Sequence, residues 1–207
     1  MRWLTLSVLG VLLCGIAYGM DEAIGIKLGT ISIDNPEDKY VGIHCGVGTK
    51  FGTGIAFDVY YQNSWKDIEL GNYGILELGY DLEVGYYHAK ATGPNNSVTF
   101  GVLPTAAWAK VEANFQNIPL APYARLGIDF PFFLTKWKSP PEGYGTKTSI
   151  NDYGIGFGIG VGLSYELATD LWIDFSVTRI ADWIISDEYE DYGLAGTKVA
   201  LGVMLGL

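Results

Sequence analysis

Cysteine, histidine and basic residues are scarce in this chain, and each scarcity removes a class of chemistry. Two cysteines are present, Cys14 and Cys45, and two histidines, His44 and His88. Two histidines on separate segments beside one apolar-flanked cysteine give no metal-ligand spacing, so no metal or other cofactor is expected. The 13 Lys and Arg stand against 23 Asp and Glu, a net charge of -10, with no basic stripe. That balance excludes a nucleic-acid partner, because phosphate binding needs clustered cations. Apolar residues recurring at three and four are missing after the first twenty positions, which excludes helices as the main element.

Long hydrophobic runs are also missing. The one candidate is MRWLTLSVLGVLLCGIAYGM, with Arg2 in a short basic head, an apolar stretch from about Leu4 to Ile16, and small residues at Ala17 and Gly19. The stretch is too short for a spanning helix, which needs roughly 20 residues, and reads as a secretory signal peptide over 1-19. Its removal takes Cys14 away and leaves Cys45 alone, so no intrachain disulfide is expected. Cys45 alternates with Val41, Ile43 and Val47 and reads as a small apolar residue.

What is present is period two. In YGIGFGIGVGLSYEL (153-167) the odd positions carry Tyr153, Ile155, Phe157, Ile159, Val161, Leu163 and Tyr165, and the even ones Gly154 to Gly162, then Ser164 and Glu166. Such alternation puts every large side chain on one face of a strand. The 13 residues between Asp152 and Glu166 would span about 20 Å as a helix, short of a hydrocarbon core of about 30 Å. As a strand tilted near 45° they project to about 30 Å. The pattern recurs at 23-32, 40-49, 52-62, 73-88, 98-115, 120-134, 171-180 and 197-207, with polar breaks between. Aromatic residues near segment ends (Tyr60, Tyr61, Tyr86, Tyr87, Trp137, Trp172, Trp183) fit the girdles of a membrane barrel. A nearly bare glycine face makes a poor solvent face, but inside a narrow barrel it leaves room for side chains from other strands. The fold expected is all-β: a closed antiparallel up-and-down transmembrane β-barrel of eight strands over 39-207, with ten strands as the alternative. Residues 20-38 then form an N-terminal segment left outside the eight, which pairs in a ten-stranded barrel, caps the lumen or lies in the periplasm.

The stretches GYDLEVGYY, APYARLGIDF and GIGFGIGVGLSYELATDLWIDFSVTRI, with the final alternating strand, resemble the small outer-membrane β-barrel families, the opacity-type adhesins and porin-like eight-stranded proteins. The resemblance covers roughly residues 72-207 and rests on architectural signals. One departure is the terminal Leu207, where such proteins usually end in Phe or Trp. The resemblance implies a bacterial outer-membrane location, partners among outer-membrane lipid, lipopolysaccharide and the barrel insertion machinery, and an unidentified surface ligand.

Alternation also selects the candidate residues. Glu77, Asp81 and Glu83 fall on the inward face of 73-88, and Lys110 and Glu112, with Trp108, on that of 98-115. Counting back across the turn after Phe115 sets Lys110 opposite Arg125, followed inward by Gly127 and Asp129. Counting through the longer loop after His88 brings Glu77 near Trp108 and Lys110. The expectation is a lumenal network of Glu77, Lys110, Glu112 and Arg125, with Asp81, Glu83 and Asp129 nearer the outer half, because a buried ion needs paired, hydrogen-bonded partners. Asp187, Glu188, Glu190 and Asp191 form an acidic external loop, a position where scaffolds carry function.

No catalytic residue emerges. Some outer-membrane barrels deacylate or acylate lipid A, and the deacylase has a similar strand order. That chemistry requires a His beside a Ser and a carboxylate, and LWIDFSVTRI holds no histidine. The function expected is non-enzymatic: structural, adhesive or surface-interacting. The alternatives are a narrow cation-preferring channel and a lipid A modifying hydrolase.

Overall fold

The computed structural model describes residues 22-34, 45, 49-139, 149-185 and 192-207. It contains eleven strands: β1 (Glu22–Ile33), β2 (Lys50–Phe51), β3 (Gly54–Glu69), β4 (Gly74–Thr92), β5 (Ser97–Leu103), β6 (Thr105–Phe115), β7 (Leu120–Asp129), β8 (Phe132–Trp137), β9 (Ser149–Ala168), β10 (Leu171–Ile185) and β11 (Tyr192–Gly206). All belong to one antiparallel sheet. Among the described residues no helix is long and apolar enough to cross a membrane.

The expectation of a closed up-and-down barrel of eight strands, or of ten, is corrected by this count and by the strand order. Consecutive strands are not neighbours throughout: β4 pairs with β6, β5 with β8 and β7 with β9. The physical reason is proline. Pro104 separates β5 from β6, and Pro131 stands between β7 and β8; neither can donate to a ladder, and each ends a strand. Their carbonyls still accept, from Gly85 N at 3.0 Å and Gly154 N at 2.9 Å, which holds the pieces in line. β9 also pairs with β10, so each strand other than β2 has a partner along both edges.

Of the three placements left open for 20-38, pairing in the sheet is the one observed. Residues 22-33 are an integral strand, in register with β11 from Ala23 opposite Gly206 to Ile33 opposite Gly196, and with β3 on the other edge. Of the segment expected as a strand at 40-49, only Cys45 and Thr49 are described, and neither belongs to a strand. The signal peptide and the acidic loop at 187-191 lie outside the described residues.

Alternation resolves into two faces. Phe157, Ile159, Leu28 and Leu126 are more than 60 % exposed on the outer face, whereas Arg125, Lys27 and Lys198 are 2 % exposed or less on the inner one. Charges inside and large apolar groups outside are the reverse of a soluble protein and match a lipid-facing wall. The aromatic residues divide between the faces. Tyr86 and Trp183 point out as expected of a girdle, Tyr60, Tyr87 and Trp137 are buried on the inner face, and Tyr61, level with Ile24 and Leu82 on the outer face, is buried there beside Tyr80.

Glycine on the inner face answers to volume. Cβ atoms built on Gly158 and Gly127 would collide with the Trp108 ring, on Gly162 with Tyr123, and on Gly25 with Tyr60. The glycine row of β9 is the floor on which side chains from β6, β7 and β10 lie.

An ion-pair network across the inner face

Two kinds of filling divide the interior along its length. At the end bearing the short connections and in the middle, the inner face is ionic. Toward the end of the longer connections it is apolar: Ile31, Ile33, Ala56, Tyr87, Phe100, Phe133, Trp137, Ile184 and Leu194 pack with Cys45 in one cluster. Cys45 sits there as the small apolar residue its neighbours implied, fully buried, and its carbonyl accepts from Asn95 N at 3.0 Å. Burial pushes the Cys45 thiol up from its ordinary pKa.

Glu83 is the centre of the ionic part. Its Oε2 accepts from Arg125 Nη1 at 2.8 Å and its Oε1 from Lys198 Nζ at 2.5 Å. Lys198 also reaches Asp58 Oδ2 at 2.9 Å, and Arg125 Nη1 lies 3.6 Å from Asp81 Oδ2. Arg125 Nη2 donates to Thr178 Oγ1 at 2.9 Å, and its guanidinium lies 4.4 Å over the Trp108 ring. None of β4, β7 and β11, which supply Glu83, Arg125 and Lys198, is hydrogen-bonded to another of the three, so these pairs cross the interior.

A second group lies nearer the short connections. Lys27 Nζ meets Asp174 Oδ2 at 2.6 Å, and Asp174 also accepts from the hydroxyls of Tyr123 at 2.7 Å and Tyr60 at 3.1 Å. Lys110 binds Glu112 Oε2 at 2.5 Å and Gln62 Oε1 at 2.6 Å, 4.4 Å above the Tyr123 ring. Each cation therefore has a carboxylate, and Lys27, Lys110 and Arg125 each lie over an aromatic face as well, a pairing that offsets the cost of burying charge.

The sequence-selected residues are brought together in part. Lys110 does stand opposite Arg125, but Arg125 bonds to Glu83 and Asp81 rather than to Glu112. Glu83, expected nearer the outer half, is the hub. Glu77 is half-buried and accepts from Asn114 Nδ2 at 2.6 Å. It lies opposite Glu112, whereas Lys110 faces Gly79 and Trp108 faces Asp81, so the register counted through the loop is corrected by two to four residues. The reason is a tighter turn. β4 runs on to Thr92, paired with Ser97, and the four residues between are pinned by Asn96, whose Oδ1 accepts from Ser97 N at 2.9 Å and whose Nδ2 donates to Ser139 O at 2.9 Å.

Asp129 is buried and makes no ion pair with another described residue. It shares this state with Asp182, which sits across Gly156 from it. Each has a carboxylate oxygen without a hydrogen-bond partner among the described residues, and Asp182 accepts from Tyr87 OH at 3.4 Å. Lys27, Asp58, Asp174, Asp182 and Lys198 were missed by sequence reasoning. All lie at alternating inward positions, so the rule that found Glu83 applies to each of them; Lys27 alone needed 23-32 to be admitted to the sheet. Of the two histidines, His44 lies outside the described residues and His88 is exposed on the outer face.

An antiparallel sheet with lipid-compatible side chains outside and paired ions inside defines a membrane-spanning β-barrel protein. The family model described as "Outer membrane protein beta-barrel domain" matches residues 9-205, and the chain belongs to that family. It is a protein of the bacterial outer membrane. Among solved structures it is similar to the attachment invasion locus protein Ail of Yersinia pestis, solved with the heparin analogue sucrose octasulfate, at 13% identity over 91% of this chain and 100% of that one, TM-score 0.50. A major outer membrane protein from Thermus thermophilus matches at 15% identity over 90% and 99%, TM-score 0.50. The Neisserial surface protein A matches at 12% identity over 89% and 96%, TM-score 0.49. No curated protein matches the sequence. At these identities the likeness concerns the fold.

Proposed function

We propose that this protein is a non-enzymatic, non-conducting outer-membrane barrel whose filled interior makes it a rigid scaffold for contacts made by its longer connections with the cell surroundings. The observation that carries the reading is the filling itself. Trp108, Arg125, Tyr60, Lys27 and Lys198 occupy the ionic level, and Trp137, Tyr87, Phe100 and Phe133 the apolar level above it, each 2 % exposed or less. Side chains that cross the interior and bond to one another leave a hydrated ion no continuous path. The partners are outer-membrane lipid and lipopolysaccharide on the outer wall, the insertion machinery during assembly, and a surface ligand at the connections.

One observation favours a second reading, a narrow cation-preferring channel: among the described residues, eight buried carboxylates stand against four buried cations. Planar-bilayer recording separates the two. The scaffold reading expects no steady conductance from the purified full chain; reproducible cation-selective steps would overturn it. For the enzymatic alternative, the lipid A acyl pattern by mass spectrometry is expected to be the same with and without expression, and a lost acyl chain would reinstate it.

A further inference from the structure

The outer wall carries a feature the network does not use. Six of the described Lys and Arg side chains lie outside the interior: Lys50, Lys66, Lys90, Lys136, Lys138 and Arg179. Arg179 is engaged by Asp34 and Thr197, and Lys66 sits near the short connections, close to Asp67 and Glu69. The remaining four gather on one side, at the end of the longer connections.

Register places them in two rows. Lys90 pairs with Thr99, Thr99 with Lys136 and Lys136 with Ser149, so these four residues cross four adjacent strands on the outer face. One step further out, Lys50 pairs with Thr92 and Thr92 with Ser97, and Lys138 N donates to Ser97 O at 2.9 Å. The result is a plate of hydroxyls flanked by lysines, about 10 Å across between Lys90 and Lys136 and with rows about 7 Å apart. All four lysines are exposed, and none makes an ion pair with another described residue. Apart from Asp34, which Arg179 engages, the exposed described acids Asp67, Glu69, Glu166 and Asp170 lie at the opposite end.

Height fixes the occupant. Directly inward along the wall from Lys90, Lys136 and Ser149 come His88, Leu134 and Asn151, then Tyr86, Phe132 and Tyr153, where the apolar band begins. Longer connections face outward in such barrels, so the plate is level with the headgroups of the outer leaflet and flush with the wall. We infer that Lys50, Lys90, Lys136 and Lys138, with Thr92, Thr99 and Ser149, form a site for the phosphorylated glycolipid headgroup of the outer leaflet, its phosphates held by the lysines and its sugar by the hydroxyls. This rests on the lipopolysaccharide contact proposed above and gives it a location. A soluble polysulfate has the right charge, but the plate lies along the wall beside acyl chains rather than on a loop tip.

The test is native mass spectrometry of the full chain in neutral-detergent micelles, titrated with diphosphoryl lipid A, with its dephosphorylated form, and with sucrose octasulfate as the soluble polyanion. The variants are Lys90→Gln with Lys136→Gln, and Lys66→Gln as control, each checked for folding by heat-modifiable mobility on gels. The wild type and the control are expected to bind diphosphoryl lipid A alike, and the double variant about 25-fold more weakly, the equivalent of two lysines at an anionic membrane surface. The dephosphorylated lipid should bind the wild type as weakly as the phosphorylated lipid binds the double variant. Undiminished binding by the double variant would overturn the site while leaving the lipopolysaccharide contact standing. A wild type that does not prefer the phosphorylated lipid would overturn both, and tighter binding of the octasulfate than of lipid A would assign the plate to a soluble ligand instead.

Discussion

Adding one methyl group to Gly158 tests the account of the glycine face most directly. A Cβ there would stand 2.5 Å from Cζ3 of Trp108, against about 3.5-4.0 Å for an ordinary carbon contact, so the indole has to move by roughly 1 Å. It has little freedom to do so. Gly127, the register partner of Gly158, lies under the same ring, where a Cβ would be 2.6 Å from Cε3, and the Arg125 guanidinium covers the ring at 4.4 Å. Overpacking of this kind costs about 1-3 kcal/mol, and we expect Gly158→Ala to lose about 2 kcal/mol. Trp108→Ala, which opens a cavity in the same place, should lose about 3-5 kcal/mol. In that second background the Gly158 methyl enters empty space, and its cost should fall to about zero or turn slightly favourable, since alanine gives up less chain entropy than glycine. The other close neighbour, the Arg179 carbonyl at 3.3 Å, is the same in both backgrounds and cancels. The measurement is a double-mutant cycle from urea unfolding in phospholipid vesicles, with slopes compared to verify that the same surface is exposed. A Gly158→Ala cost equal in the two backgrounds within about 0.5 kcal/mol would refute the idea that glycine is there to make room for Trp108.

Two further outcomes follow from the interior. Glu83→Gln takes the carboxylate from both Arg125 and Lys198 and should destabilise by about 3-5 kcal/mol, the range for breaking a buried pair, whereas Asp182→Asn, which has no cation to lose, should change stability by less than about 1 kcal/mol in the same vesicle assay. Equal costs would show that the ion pairs do not organise the interior. Cys45, buried and with its thiol pushed up, should resist maleimide in a Cys14→Ser chain until urea unfolds the barrel; rapid labelling of the folded protein would mean that the apolar cluster is open.

Much of this protein was determined by local pattern. Strict alternation in 153-167 sends Phe157 and Ile159 outward and glycine inward whatever the rest of the chain does, because successive side chains on a strand take opposite faces. The same rule placed Trp108, Lys110, Glu112 and Arg125 inside, and the short turn after Phe115 fixed Lys110 opposite Arg125. Three things were decided only in three dimensions. The first is how many strands there are: alternation continues through Pro104 and Pro131, but a ladder breaks where a donor is missing. The second is register across the turn at Asn96, set by side-chain hydrogen bonds to Ser97 and Ser139 that no count of residues reveals. The third is who meets whom inside. Glu83, Arg125 and Lys198 come from strands that are not neighbours, and whether a carboxylate finds a cation, as Glu83 does, or stands across a glycine from another carboxylate, as Asp129 does from Asp182, depends on how the strands are assembled, which no single strand encodes.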